Sequence, residues 1–222
     1  IWLINYTLLF LAILSFLNIK KLKNQQLGFI NLILNTVVVL IFLVKGLYVI
    51  SELRESYLDI HSNEYFKSGF YNILIRYVSI GFYVLLLFVC YKYVRQGFMK
   101  INFKIGFDYL LHVSVLWILS SELIHWLDIA ETAQSYKLGL SILWGIYSLF
   151  LIVLGIWKNK QYLRIGAFSL FGITLVKLFF YDISHLNTIS KTIVFVSLGV
   201  LLLIISFLYN KYKHLISDEK EG

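Results

Sequence analysis

Seven apolar runs follow one another along this chain, each about as long as a membrane-crossing helix, and short polar or charged segments separate them. A helix that crosses about 30 Å of hydrocarbon needs roughly 20 mostly apolar residues. The chain is 59% hydrophobic and 14% charged, whereas soluble domains are about 45–50% apolar and about 25% charged. The runs therefore predict an all-α fold, a polytopic transmembrane helical bundle. The predicted spans are Trp2–Ile19, Gly28–Ile50, Tyr71–Tyr91, Gly106–Leu127, Leu138–Trp157, Leu163–Tyr181 and Ile189–Tyr209.

The charge of the connecting segments predicts the orientation of the bundle. Cytoplasmic loops of membrane proteins carry an excess of Lys and Arg, and alternate loops here differ strongly in their basic residues. We therefore expect the amino end outside and the carboxyl end in the cytoplasm. Thirteen of the 20 basic residues fall on the predicted cytoplasmic face: Lys20, Lys21, Lys23, Lys92, Arg95, Lys100, Lys104, Lys158, Lys160, Arg164, Lys211, Lys213 and Lys220.

The domain organisation follows from the same pattern. Residues 1–216 are predicted to form one transmembrane helical bundle, and residues 217–222 a charged cytoplasmic tail. The first residue is Ile1, the first apolar run begins at once, and the only methionine is Met99. We therefore expect the chain to be the carboxyl-terminal part of a longer membrane protein, or a chain whose earlier residues are missing.

Three further features bear on packing. Proline is absent, so the usual cause of a sharp helix kink is missing. Ser141, Gly145 and Ser148 form a face of small residues, which lets helix backbones approach closely in lipid; the neighbour is either another helix of this chain or a partner chain. The alternating charges of Glu52–Glu55 suggest a short helix on the membrane surface, with partner binding or simple solvation as its role.

Four segments in the last third of the chain are distinctive: residues 140–144 (LSILW), 163–164 (LR), 174–184 (TLVKLFFYDIS), and the stretch from 198–203 (LGVLLL) through Tyr209. With these segments the chain resembles the carboxyl-terminal region of a bacterial membrane-protein family known as domain of unknown function 2339. The resemblance implies a multi-spanning inner-membrane protein and brings no activity with it. Lys191 stands where the family pattern leads us to expect Arg, which keeps the charge but not the bidentate geometry.

Ionisable residues inside the predicted spans give the candidate site. An ionisable group at the centre of a span costs about 2.5–3.5 kcal/mol on insertion scales, so such residues are functional candidates. They are predicted to lie in or beside the outer halves of their helices and to converge on one outward polar pocket, as a ligand site or an ion-pair cluster. The alternative is that the lysines extend to the interface while the other groups form structural ion pairs. The candidates are Lys45, Arg76, Glu122, His125, Lys177 and Asp182.

Two pairings within this set are chemically specific. Glu122 and His125 have the i, i+3 spacing of di-iron ligands, but no second Glu-x-x-His occurs, so neither a metal nor another cofactor is expected. His125 oriented by Glu122 also suits a proton relay or a general base, although an interhelical hydrogen bond is the commoner role. Lys177 is predicted to neutralise a carboxylate of another helix or the nearby Asp182.

Function is less constrained than fold. We expect an inner-membrane scaffold, assembly or envelope-associated component without its own catalysis, with the lipid bilayer and other membrane-protein subunits as partners. Because the basic residues do not form one patch, a nucleic-acid partner is not expected. The first alternative is a transporter of a small solute or lipid-linked precursor that uses the outward polar cluster. The second is a membrane-embedded transferase with Glu122, His125 or Asp182 as catalytic residues.

The predicted orientation is testable with single cysteines introduced after Cys90 has been replaced. Cysteine at Gln25, Gln96 or Lys160 should stay shielded from an impermeant thiol reagent in intact cells, because these positions lie on the predicted cytoplasmic face. Cysteine at Ser62 or Asn187 should react. Labelling of position 96 from outside would overturn the orientation.

Overall fold

A computed structural model describes residues 1–58, 71–100, 102–130, 136–182 and 188–217, and all regular secondary structure in these ranges is helical. Three short π-helical segments continue α-helices: Asn18–Leu22 after α1, Phe42–Gly46 between α2 and α3, and Leu178–Asp182 after α7. The α-helices are α1 (Trp2–Leu17), α2 (Gln25–Ile41), α3 (Leu47–Leu58), α4 (Tyr71–Val94), α5 (Lys104–Ile129), α6 (Tyr136–Trp157), α7 (Gln161–Lys177) and α8 (Thr188–Ser217).

Six continuous helices in the described ranges are long and apolar enough to cross a membrane, and they coincide with the first six predicted spans. The all-helical, polytopic architecture is therefore confirmed. The seventh predicted span falls on α8, whose described apolar part is the shorter stretch Lys191–Phe207. The predicted tail, apart from Ser217 at the end of α8, lies outside the described residues.

The second predicted span differs most from the structure. It was expected to end at Ile50, but α2, the π-helical segment and α3 run without a break from Gln25 to Leu58. The surface helix expected at Glu52–Glu55 is therefore the end of this longer helix, and its Arg54 is buried, with 4% exposure. Apolar sequence marks the hydrocarbon layer, whereas backbone hydrogen bonds continue past it.

The π-helical segment Phe42–Gly46 contributes the aromatic ring of Phe42 to the core. The chain contains no proline, so this irregularity in the helix does not depend on one. A side-chain atom on Gly46 would lie 2.7 Å from the Phe42 ring, so glycine at this position leaves room for that ring. The ring is fully buried and stacks on Tyr83 of α4 with centroids 4.6 Å apart.

The chain forms two compact units, Ile1–His125 and Trp126–Gly222, and the boundary falls within α5. In the first unit, α1, α2, α3 and α4 share a core in which Leu8, Val39, Ile50, Tyr83 and Leu86 are fully buried. Cys90 is also buried here, as expected of a small apolar residue. By contrast, the buried residues of α5 are only Phe107, Ser114 and His125.

A hydrogen-bonded turn joins α1 to α2 and ties both to α4. The buried Asn18 side-chain amide donates to the Asn24 carbonyl at 3.0 Å and to the Tyr93 hydroxyl of α4. The main-chain N–H of Asn24 in turn donates to Asn18 Oδ1. The side chain of Asn24 caps α2, because its Oδ1 accepts from Leu27 N at 3.1 Å. A single asparagine thus satisfies main-chain groups at a helix end, which would be costly to leave unpaired in a membrane.

In the second unit, α6 and α7 form a tight antiparallel hairpin. Its turn places Asn159 at φ 48°, and Gly155 of α6 packs directly on the start of α7. The small face predicted on α6 packs within the chain: Ser141 and Ser148 are buried, and a side-chain atom on Gly145 would lie 3.3 Å from Leu201 of α8. The small face is therefore in contact with side chains of α8 in the same unit.

Gly155→Ala should destabilise the hairpin. The added methyl group would lie 2.8 Å from Arg164 Cγ and 3.1 Å from the Arg164 main-chain nitrogen, and the main chain of a packed helix cannot easily move away. We expect a loss of about 1–3 kcal/mol in the free energy of unfolding in detergent, the usual cost of overpacking.

The matched control is Gly172→Ala in α7, where an added methyl group meets nothing within 4 Å. Its free energy of unfolding should be unchanged or up to about 1 kcal/mol higher, because Ala is the better helix former. Equal effects of the two substitutions would contradict the close contact.

Candidate functional site

Arg76 of α4 is a fully buried ionised side chain paired across two helices. Its Nε donates to Glu122 Oε1 of α5 at 2.7 Å, and its Nη2 donates to Ser121 Oγ at 2.8 Å. The Arg76 side chain is 1% exposed and the Glu122 side chain 22% exposed. Because an unneutralised charge in an apolar interior is very costly, this pair determines how α4 and α5 meet.

A second polar bridge joins the same helices. The hydroxyl of Tyr83 in α4 donates a hydrogen bond to Ser114 Oγ of α5 at 2.7 Å. Arg76 and Tyr83 are seven residues apart on α4, and Ser114 and Ser121 are seven apart on α5. Seven residues are two helical turns, so side chains at this spacing lie on one face about 10.5 Å apart along the axis. The Arg76 and Tyr83 bridges therefore form a matched pair between antiparallel helices.

His125 lies one turn beyond Glu122 on the same face of α5. It is fully buried and meets the Tyr77 ring edge to face, with centroids 6.5 Å apart. It is also close enough to Arg76 and to Arg54 at the end of α3 for electrostatic interaction. The first unit therefore gathers two buried guanidinium groups, one carboxylate and one imidazole, which we call the Arg76 cluster: Arg54, Arg76, Ser121, Glu122 and His125.

The structure brings three of the six predicted site residues together, namely Arg76, Glu122 and His125. Lys45 lies in the π-helical segment between α2 and α3 and is exposed. Lys177 belongs to the second unit, where its Nζ donates to the Lys137 carbonyl at 3.0 Å and to Ser141 Oγ at 2.7 Å. The main chain of Asp182 ends the π-helical segment after α7, but its side chain is not among the described parts. The pairing of Lys177 with a carboxylate stays a prediction.

Sequence reasoning missed Arg54 and Ser121 as members of the cluster. Arg54 was assigned to the membrane surface because its neighbours are charged. The available signal for the burial of Arg54 was its position four residues after Ile50, which places both on one face of a helix. Ser121 was overlooked because a serine in an apolar run is common, although its seven-residue spacing from Ser114 was visible.

Metal ligation has no support from the residues that the structure describes: they contain no group of three or more His, Cys, Asp or Glu side chains able to hold an ion. Glu122, one half of the Glu-x-x-His pair, is engaged by Arg76 instead.

Long apolar helices joined by buried polar bridges define a multi-pass α-helical membrane protein. The chain belongs to the family described as "Predicted membrane protein (DUF2339)", whose pattern matches residues 1–212. The match covers the first unit as well as the last third, where the resemblance was first seen. No curated protein and no solved structure matched the chain.

Glu122→Met should cost about 3 kcal/mol in the free energy of unfolding, because it leaves the buried Arg76 charge without its carboxylate. This is the lower end of the range for breaking a buried pair, since Glu122 keeps some exposure. Replacing both residues, Arg76→Met with Glu122→Met, should restore most of the loss, because an apolar pair needs no neutralisation. Reversible unfolding in mixed micelles measures both values.

The matched control is Glu52→Met on the exposed face of α3, which should change the free energy by no more than about 0.5 kcal/mol. A double variant as unstable as Glu122→Met would show that the pair contributes more than mutual neutralisation.

Proposed function

We propose that this chain is a non-catalytic component of the bacterial cytoplasmic membrane, a scaffold or assembly subunit associated with the cell envelope. The observation that carries the proposal is the 2.7 Å contact between Arg76 and Glu122. A carboxylate held by a buried guanidinium between two helices serves the helix contact, because its charge is neutralised by a group of the protein itself. Family membership supports the membrane setting but brings no activity.

The proposed orientation, with the carboxyl end in the cytoplasm, is supported by the bias of Lys and Arg between alternate loops, and several of these basic residues contact aromatic rings. In the first unit, Lys92 lies 4.6 Å from the Phe88 ring centroid and Arg95 lies 4.0 Å from that of Tyr91. In the second, Lys158 lies 4.3 Å from the Trp157 ring. These cation–aromatic pairs sit at helix ends and combine the two residue classes that anchor helices at a membrane interface.

A transporter of a small solute or lipid-linked precursor is the second candidate, and one observation favours it. Arg76 Nη1 is buried and has no hydrogen-bond partner within the described ranges, while the adjacent Glu122 remains partly exposed. A buried donor without an acceptor is uncommon, and an acceptor group of a solute that reached Arg76 past Glu122 would supply one.

A complementation experiment separates the two candidates. A strain lacking the gene should lose envelope integrity, measured as increased sensitivity to detergent and to large antibiotics. The double variant Arg76→Met with Glu122→Met should restore resistance as well as the wild type does, because a scaffold needs the helix contact and not the charges. Immunoblots of the membrane fraction should confirm equal amounts of each protein.

Failure of the double variant to restore resistance, at wild-type abundance, would favour transport or catalysis at the Arg76 cluster. A deletion strain with an intact envelope would contradict the envelope-associated role itself. The matched control is Glu52→Met, which should complement fully under either candidate.

A further inference from the structure

An apolar groove runs between α6, α7 and α8 in the second unit. Its cavity volume is about 100 Å³. Ile142, Ile146 and Ile193 line it and are 49%, 59% and 60% exposed, so the groove is open on the side of these residues.

The length of the groove matches one leaflet of a bilayer. Its lining extends along α6 from Leu138 to Ile146 and along α8 from Ile193 to Leu201. Eight residues of helix rise about 12 Å, close to the roughly 15 Å that is half of a 30 Å hydrocarbon layer. The groove therefore begins near the helix ends and stops near the middle of the membrane.

Positive charge gathers at the end of the groove where α6 begins. Lys177 Nζ donates to Ser141 Oγ at 2.7 Å, and Ser141 is itself a lining residue. Lys137, one residue before Leu138 of the lining, places its ammonium group 5.1 Å from the Tyr181 ring centroid. Two ammonium groups and an interfacial tyrosine thus lie where lipid headgroups would be, and the rest of the groove is apolar.

We propose that this groove binds an anionic glycerophospholipid of the surrounding bilayer. One acyl chain would lie between α6, α7 and α8, and its phosphate would be held by Lys177 and Lys137. Charge complementarity selects this occupant: an apolar groove of one-leaflet length with cations at one end suits a molecule that is apolar along its length and acidic at that end. The inference does not depend on the proposed scaffold function.

The test is native mass spectrometry of the whole chain in detergent, titrated with dioleoyl phosphatidylglycerol or dioleoyl phosphatidylcholine. The wild type should retain phosphatidylglycerol more tightly than phosphatidylcholine. Lys137→Gln and Lys177→Gln should each weaken retention of phosphatidylglycerol about fivefold, the effect of roughly 1 kcal/mol for one lysine near an anionic headgroup. Retention of phosphatidylcholine should not change. Lys45→Gln, in the first unit, is the matched control and should leave both lipids unaffected.

A second pair of variants tests the groove itself. Ser197→Trp fills its volume and should abolish retention of both lipids, whereas Ser206→Trp, an exposed position on the same helix outside the lining, should not. Equal retention of the two lipids by the wild type would overturn the proposal. So would undiminished phosphatidylglycerol binding by Ser197→Trp, or displacement of the lipid by free glycerol phosphate as effectively as by phosphatidylglycerol.

Discussion

The attachment of α5 to the first unit depends on buried polar bridges more than on apolar packing. In lipid, an apolar helix face gains little by exchanging acyl chains for another helix, so hydrogen bonds and close backbone contacts select the partner. Few side chains of α5 are buried, yet Ser114 and Ser121 receive hydrogen bonds from Tyr83 and Arg76 of α4. Without these contacts, apolar surface alone would not distinguish one rotation of α5 from another.

The two units use different means to hold neighbouring helices. In the first, Asn18 connects the turn after α1 to Tyr93 of α4, and long polar side chains reach from α4 to α5. In the second, Gly155 lets the main chains of α6 and α7 come close, and Lys177 bonds to the main chain of α6. Long polar side chains thus bridge the helices of the first unit, whereas a small residue lets the helices of the second unit come close.

The membrane-spanning helices were predictable because hydropathy directly reports the length of chain that lipid can accommodate. Helix ends were not, since hydropathy falls at Glu52 while helical hydrogen bonding continues to Leu58. The ionisable residues at the site were also visible in the sequence, because they interrupt apolar runs. Their partners were not: which carboxylate meets Arg76 depends on the rotation and register of two helices, and the carbonyl of Lys137 that accepts from Lys177 leaves no mark in a sequence pattern.

The two bridges between α4 and α5 have a geometric consequence that neither would have alone. A single contact lets one helix rotate about it, so the crossing angle of the two helices stays free even when their relative position along the axis is fixed. Two contacts on one face of each helix, about two turns apart, fix the crossing angle of the helices as well as their relative position. The Arg76 and Tyr83 bridges therefore leave α5 free to rotate about the line that joins them. A change in the crossing angle of α4 and α5 would break at least one bridge, and sliding of α5 along α4 would break both.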